Sequence, residues 1–211
     1  MTLTLLEVVH GSHIWGMNNE NSDIDIFRCY LARNNDLLLG KQQHSSEDKR
    51  LMPAMNVQNH ELGTVVEQIL KNNFNYFLAV FSPIVCFSNY RVLESLRNMA
   101  TFAMSKEIYN STHGMAAQNY MKYVVSATDV SQKRLNTICR NLQFGITLLK
   151  YGKVEFAPFT EGSADKIKEL LSELDCEKEK SKLPDRASDE VARRARQYLL
   201  FIRRRYGDYY E

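Results

Sequence analysis

Two apolar stretches near the start of the chain, joined by a polar loop, constrain what it can fold into more than any other feature. The first, Leu5-Leu6-Glu7-Val8-Val9, runs into His10-Gly11-Ser12-His13, and the second opens with Ser22-Asp23-Ile24-Asp25-Ile26 and continues to Leu31. Successive side chains of a strand point to opposite faces, so Asp23 and Asp25 should project together while Ile24 and Ile26 turn into a core. Two carboxylates at one spot repel, and the arrangement is most easily held with a divalent cation between them. Mg2+ is the expected ion, with Mn2+ as its substitute, because it takes one or two carboxylates and completes its shell with water and phosphate oxygens. Gly11 and Ser12 supply the complementary half. A glycine lets the backbone approach a phosphate closely, and successive N–H groups with a serine hydroxyl form an anion cradle.

Gly-Ser, ten residues, then Asp-x-Asp between two apolar strands resembles the signature of the DNA polymerase beta-type nucleotidyltransferase superfamily. Across most of its length the chain is most similar to the minimal group of that superfamily named for association with RNA ligases. Members of that group read Gly-Ser-Arg-x-Tyr-Gly before Ser-Asp-x-Asp; here those places hold Gly11, Ser12, His13, Trp15, Gly16, Ser22, Asp23 and Asp25. The resemblance implies transfer of a nucleoside monophosphate from a nucleoside triphosphate to a hydroxyl. Asp23 and Asp25 would act as catalytic metal ligands, and Gly11, Ser12, His13 and Ser22 would face the phosphates. It also implies a third carboxylate from a later strand, opening a stretch Asp-Ile-Val-x-x-Glu-Leu. Aligned on Glu61-Leu62, that place is Asn56, which can ligate a metal through its carbonyl but cannot act as a base. Glu61, at the expected start of a helix, is the nearest substitute as a catalytic acid, and a carboxylate there is also simply a favourable first-turn residue.

With 211 residues and 44% hydrophobic content, the chain can bury a real core. Its net charge of +2 hides an asymmetry: residues 1–130 carry 10 Lys and Arg against 12 Asp and Glu, residues 131–211 carry 17 against 13. Cys29, Cys86, Cys139 and Cys176 are widely spaced with no Cys-x-x-Cys, which disfavours a structural zinc site or a disulfide scaffold and fits a reducing cytoplasm, the expected location. His10 and His13 do not make a convincing zinc pair, because rings on a strand running into a turn do not converge. No apolar run approaches the roughly 20 residues a bilayer span needs, and the start Met-Thr-Leu-Thr lacks a signal pattern. No membrane is expected.

The remaining pattern predicts an α+β protein: a small mixed β-sheet core with flanking helices over 1–81, then a helical part over 82–211. Strands are expected over Thr2–Val9 and Ser22–Leu31, with a weak one over Leu51–Gln58 that Pro53 places at an edge or at its own start. Asn34–Arg50 is polar and reads as a long loop that could close over substrate or simply lie on the surface. From Glu61 the apolar period becomes helical, through Leu62, Val65, Val66, Ile69 and Leu70, and on to Phe74, Phe77 and Leu78. Helices follow over Tyr90–Met104, His113–Ala127, Ser131–Tyr151, Ser163–Cys176 and Ala187–Tyr206. His113-Gly114, before the helix that contains Gln118, is again similar to the family.

In the helix from Ser131, Leu135, Ile138, Leu142, Ile146 and Leu149 form one face at 100° per residue, and Lys133 and Arg140 lie together on the other. The resemblance makes that pair candidate phosphate ligands; on an exposed face they would merely solubilise. Trp15 suits a core or a stacking wall. Near the C-terminus, Arg193, Arg194, Arg196, Arg203, Arg204 and Arg205 surround a narrow apolar stripe, either a phosphate-backbone footprint for RNA or a solvated helix balanced by nearby acids. The leading reading is therefore a metal-dependent nucleotidyltransferase that uses a nucleoside triphosphate and acts on an RNA end, with an RNA ligase as the partner the resemblance implies. A nucleotidyltransferase modifying a protein or small molecule, and a non-catalytic nucleotide- or RNA-binding module that lost its third acid, remain as alternatives.

Overall fold

A computed structural model describes residues 3–40, 46–52 and 55–207. Its five strands are β1 (Leu3–His10), β2 (Ile24–Leu31), β3 (Ser46–Met52), β4 (Met55–Glu61) and β5 (Val85–Ser88), ordered β3-β4-β2-β1-β5. The sheet is mixed: β2 runs parallel to β4, while β1 pairs antiparallel with both β2 and β5, and β3 pairs antiparallel with β4. The fold is α+β, with helices α1 (Asn34–Leu38), α2 (Leu62–Leu70), α3 (Phe74–Phe81), α4 (Tyr90–Ala103), α5 (Ile108–Tyr120), α6 (Gln132–Tyr151), α7 (Ala164–Lys180) and α8 (Asp189–Tyr206).

Several expectations shift. The loop expected over Asn34–Arg50 contains α1 and most of β3, and residues 41–45 lie outside the described residues. The weak strand becomes two: residues 51–52 belong to β3, at the edge of the sheet, and residues 55–58 to β4, which sits between β3 and β2. Pro53, the residue behind the edge assignment, lies outside the described residues. β5 falls in a stretch read as helical; four residues are too few for a period to show. His113 and Gly114 lie inside α5, which starts at Ile108, rather than ahead of a helix.

The chain forms two compact units. The first takes residues 1–14, 18–103 and 187–211, and comprises the sheet with α1–α4 and α8; the second takes residues 15–17 and 104–186, with α5–α7. The division therefore falls elsewhere than near Phe81. α4 stays with the sheet because it buries Val92, Leu93 and Leu96 and packs on α2, α3 and β1. α8 returns to α2 and α4 across the whole second unit's sequence.

In the first unit the core is built by the buried Leu6, Val8 and Cys29 of the sheet with Leu62 and Ile69 of α2, Phe74 and Phe77 of α3, and Leu96 of α4. In the second unit α6 packs on α5 and α7 through Ile138, Leu142, Ile146, Ile167 and Leu170. α6 ends at Gly152, whose φ of +62° gives the left-handed cap that stops the helix.

Candidate active site

β1 ends where the backbone turns at Gly11, with a φ of +68°, into a 3₁₀ turn over Gly11–Trp15. A side chain at Gly11 would be strained by that angle, and its Cβ would run into Asp25 Oδ2. The glycine is thus required twice, once for the turn and once to let the backbone lie against a carboxylate. In the ladder Asp25 is paired with His10 of β1 on one side and Asn56 of β4 on the other. Paired residues share a face, so His10, Asp25 and Asn56 form one row across three strands. Asn56 Nδ2 donates to Asp25 Oδ1 at 3.3 Å, and Asn56 Oδ1 is buried with no hydrogen-bond partner among the described residues.

Asp23 precedes β2 and is exposed, two residues before Asp25. Ile24 does not enter the core as expected: it is 36% exposed, whereas Ile26 is buried. It heads the strand, where nothing yet covers that face. The Ser22 hydroxyl closes the preceding turn, accepting from Asn19 N–H at 2.9 Å and donating to Asn19 Oδ1 at 3.1 Å. Ser12 and His13 occupy the 3₁₀ turn, and His13 Nε2 is buried without a hydrogen-bond partner among the described residues.

Glu61 is not brought to this row. It is paired with Tyr30, five positions along a parallel ladder from Asp25 and Asn56, or about 17 Å at 3.3 Å per residue. There it caps α2 by accepting the Gly63 N–H at 2.6 Å and forms a buried ion pair with Arg203 Nη2 of α8 at 2.7 Å. Its role as a substitute catalytic acid gives way to a structural one. Among the described residues no group of three His, Cys, Asp or Glu side chains could hold a metal. The metal-ligating candidates near Asp25 are therefore two carboxylates and one amide.

Four rings sit on the same face as the row. Phe27, two residues from Asp25, stacks on His60 at 4.3 Å and meets Tyr76 edge-on at 5.6 Å; the His10 ring lies 6.5 Å from Phe27. The Tyr76 hydroxyl and His60 Nδ1 are 3.0 Å apart. Burial, reinforced by the charge of His10, lowers the His60 pKa to about 4, so its ring is neutral at physiological pH. Sequence reasoning missed His60. The signal was present, because Asn56, Gln58 and His60 alternate onto one face once β4 is extended to Glu61.

In the second unit Arg140 is only 8% exposed, so it does not share a solvent face with Lys133, which is exposed. Its guanidinium lies 4.6 Å from the Trp15 ring centre and donates to Asn141 Oδ1 at 3.3 Å and toward Met17 Sδ at 3.9 Å. No carboxylate pairs with it among the described residues. Burial lowers its pKa to about 10, which leaves it charged. A buried cation without a counter-charge is costly, and a cavity of about 40 Å³ lined by Arg140, Gln143, Thr147 and Glu155 opens beside it. Trp15, 3% exposed and edge-on to Phe144 and Phe156, is the wall of this cluster.

The arginines of α8 are largely committed. Arg203 belongs to Glu61, and Arg193 and Arg194 both bind Glu190. Arg205 Nε donates to the Tyr206 hydroxyl at 3.1 Å. The apolar stripe buries Ala195 and Ile202. A groove of about 360 Å³ between α4 and α8, lined by Ser95, Phe102, Arg194 and Tyr198 among others, shares no residue with the Asp25 row. No helix among the described residues is long and apolar enough to cross a membrane.

The model of the RlaP family, the RNA repair pathway DNA polymerase beta family, matches residues 2–200. No curated protein matches the chain.

Proposed function

The chain belongs to the RNA repair pathway DNA polymerase beta family, and on that premise we propose that it moves a nucleoside monophosphate from a nucleoside triphosphate to a hydroxyl at an RNA end. A bond forms between the acceptor oxygen and the α-phosphorus as the hydroxyl proton passes to solvent, the bond from that phosphorus to the bridging oxygen breaks, and pyrophosphate leaves with the electron pair. The observation that carries this reading is the row His10–Asp25–Asn56 with Gly11 backed against the Asp25 carboxylate.

The residues fit a hard divalent cation such as Mg2+ or Mn2+. Asp25 and Asp23 supply charge, and Asn56 Oδ1, a buried acceptor without a partner among the described residues, supplies a neutral oxygen. Bound there, the ion would polarise a phosphoryl oxygen and offset the charge that builds during transfer. Gly11 and Ser12 offer backbone N–H groups and a hydroxyl to the phosphates, and the unpartnered His13 Nε2 adds a further polar contact. Arg140, buried and without a carboxylate partner among the described residues, keeps its charge in the second unit. The amide at Asn56 cannot take the acceptor's proton. That makes transfer slow, and it is also the observation that favours the second reading, a nucleotide- and RNA-binding module without turnover.

Calorimetry with Mn2+ and each nucleoside triphosphate tests the site. The wild type should bind in a metal-dependent way, and Asp23→Asn combined with Asp25→Asn should lose that dependence. Unchanged metal-dependent binding in the double variant would remove the site.

A further inference from the structure

Three arginines of α8, Arg193, Arg194 and Arg203, are answered by carboxylates; a second basic cluster has no such partner among the described residues. Helix α5 runs into a π-helical turn, Met121–Val125, closed by the Ser126 N–H donating to Met121 O at 3.0 Å. Such closures are rare, and they recur at functional sites because their local geometry is costly. This one holds Tyr123 half-buried, with Lys122 Nζ 4.9 Å and the Arg134 guanidinium 4.3 Å from the ring centre.

Lys122, Lys133 and Arg134 are exposed, and among the described residues the contacts of Lys122 and Arg134 are to Tyr123, not to an acid. Lys133 and Arg134 also occupy the first turn of α6, which carries no acidic residue and whose capping Ser131 makes no side-chain hydrogen bond. Cations are disfavoured at that end of a helix. The loop between them, 126–131, contains one acid, Asp129. Beyond the two contacts with the Tyr123 ring, the cluster breaks local rules without a local gain, the pattern expected where the gain comes from a ligand.

We infer that Tyr123, with Lys122, Lys133 and Arg134, is a binding site for unpaired nucleotides of RNA, a base stacking on the phenol ring and the flanking phosphates meeting the three cations. The flat ring decides between polyanions. An acidic peptide would use the charges alone, whereas an unstacked base uses the aromatic face and the planar guanidinium as well. The choice of RNA as the nucleic acid rests on the proposed function; the site itself rests on the cluster.

Fluorescence anisotropy of a labelled, unstructured 12-nucleotide RNA with the full chain, without triphosphate or metal, tests it. Tyr123→Ala should weaken binding about 5- to 150-fold, the range of one lost base-stacking contact, while Tyr123→Phe retains it. Lys133→Gln should lower the slope of log affinity against log salt by about 0.7. Wild-type affinity in Tyr123→Ala, or displacement of the RNA by polyglutamate as readily as by unlabelled RNA, would overturn the proposal. Should Tyr123→Ala melt early, an unchanged salt slope in Lys133→Gln overturns it alone. The two claims separate: Tyr123-dependent binding without any nucleotide transfer counts against the function, and transfer with Tyr123-independent binding counts against this site.

Discussion

At the scale of single residues, the position of Asp25 is set by what flanks it: Gly11 leaves it room, His10 and Asn56 hold its row, and Phe27 anchors the next inward side chain on His60. The neutral His60 makes this anchor pH-sensitive. Its folded pKa lies at about 4, below the ordinary 6.5, so between those values the unfolded chain binds the extra proton and stability falls as pH drops from about 6.5 to about 4. His60→Phe keeps the stack and removes the titration. Melting curves at pH 7 and pH 5 should show a smaller loss of Tm on acidification for the variant than for the wild type. An equal loss would mean that His60 is not held neutral in the folded state.

At the scale of elements, the C-terminal helix is fastened by one buried ion pair. Arg203 reaches Glu61, whose other carboxylate oxygen caps α2 at Gly63, and the Asn34 side chain donates to Arg203 O at 3.4 Å. Breaking such a pair from one side leaves an uncompensated buried charge and costs about 3–5 kcal/mol. Arg203→Gln should therefore lower Tm by many degrees, while Arg204→Gln, at an exposed position, stays within about 0.5 kcal/mol of wild type. Identical melts for the two variants would contradict the role given to the pair. The same residues show what the sequence could and could not disclose. The bounds of α6 and α8 followed from their apolar periods, and the strands β1 and β2 from their apolar runs. Glu61 and Arg203 are separated by 142 positions, and nothing local distinguishes an arginine that meets a buried acid from one that meets solvent. Arg140 was misjudged for a related reason: helical periodicity puts it opposite Leu142, yet Trp15 and Met17, from another part of the chain, cover that side.

At the scale of the whole molecule, the chain leaves the sheet after α4, builds a three-helix unit and comes back through α8. Since the family model matches residues 2–200, it spans both units and not the sheet alone. The ladder sets Asn56, the place where the resemblance implies a third carboxylate, beside Asp25. What remains to be measured is whether that row is where nucleotides are transferred. Labelled nucleoside triphosphates, incubated with total RNA and Mg2+ or Mn2+, should be transferred slowly by the wild type and not at all by Asp25→Asn. Asn56→Asp restores a carboxylate that can ligate and accept a proton, and should raise the rate by about 10²- to 10⁴-fold, the usual contribution of a general base. Transfer by Asn56→Asp no faster than wild type, or an Asp25→Asn variant as active as wild type, would contradict the account.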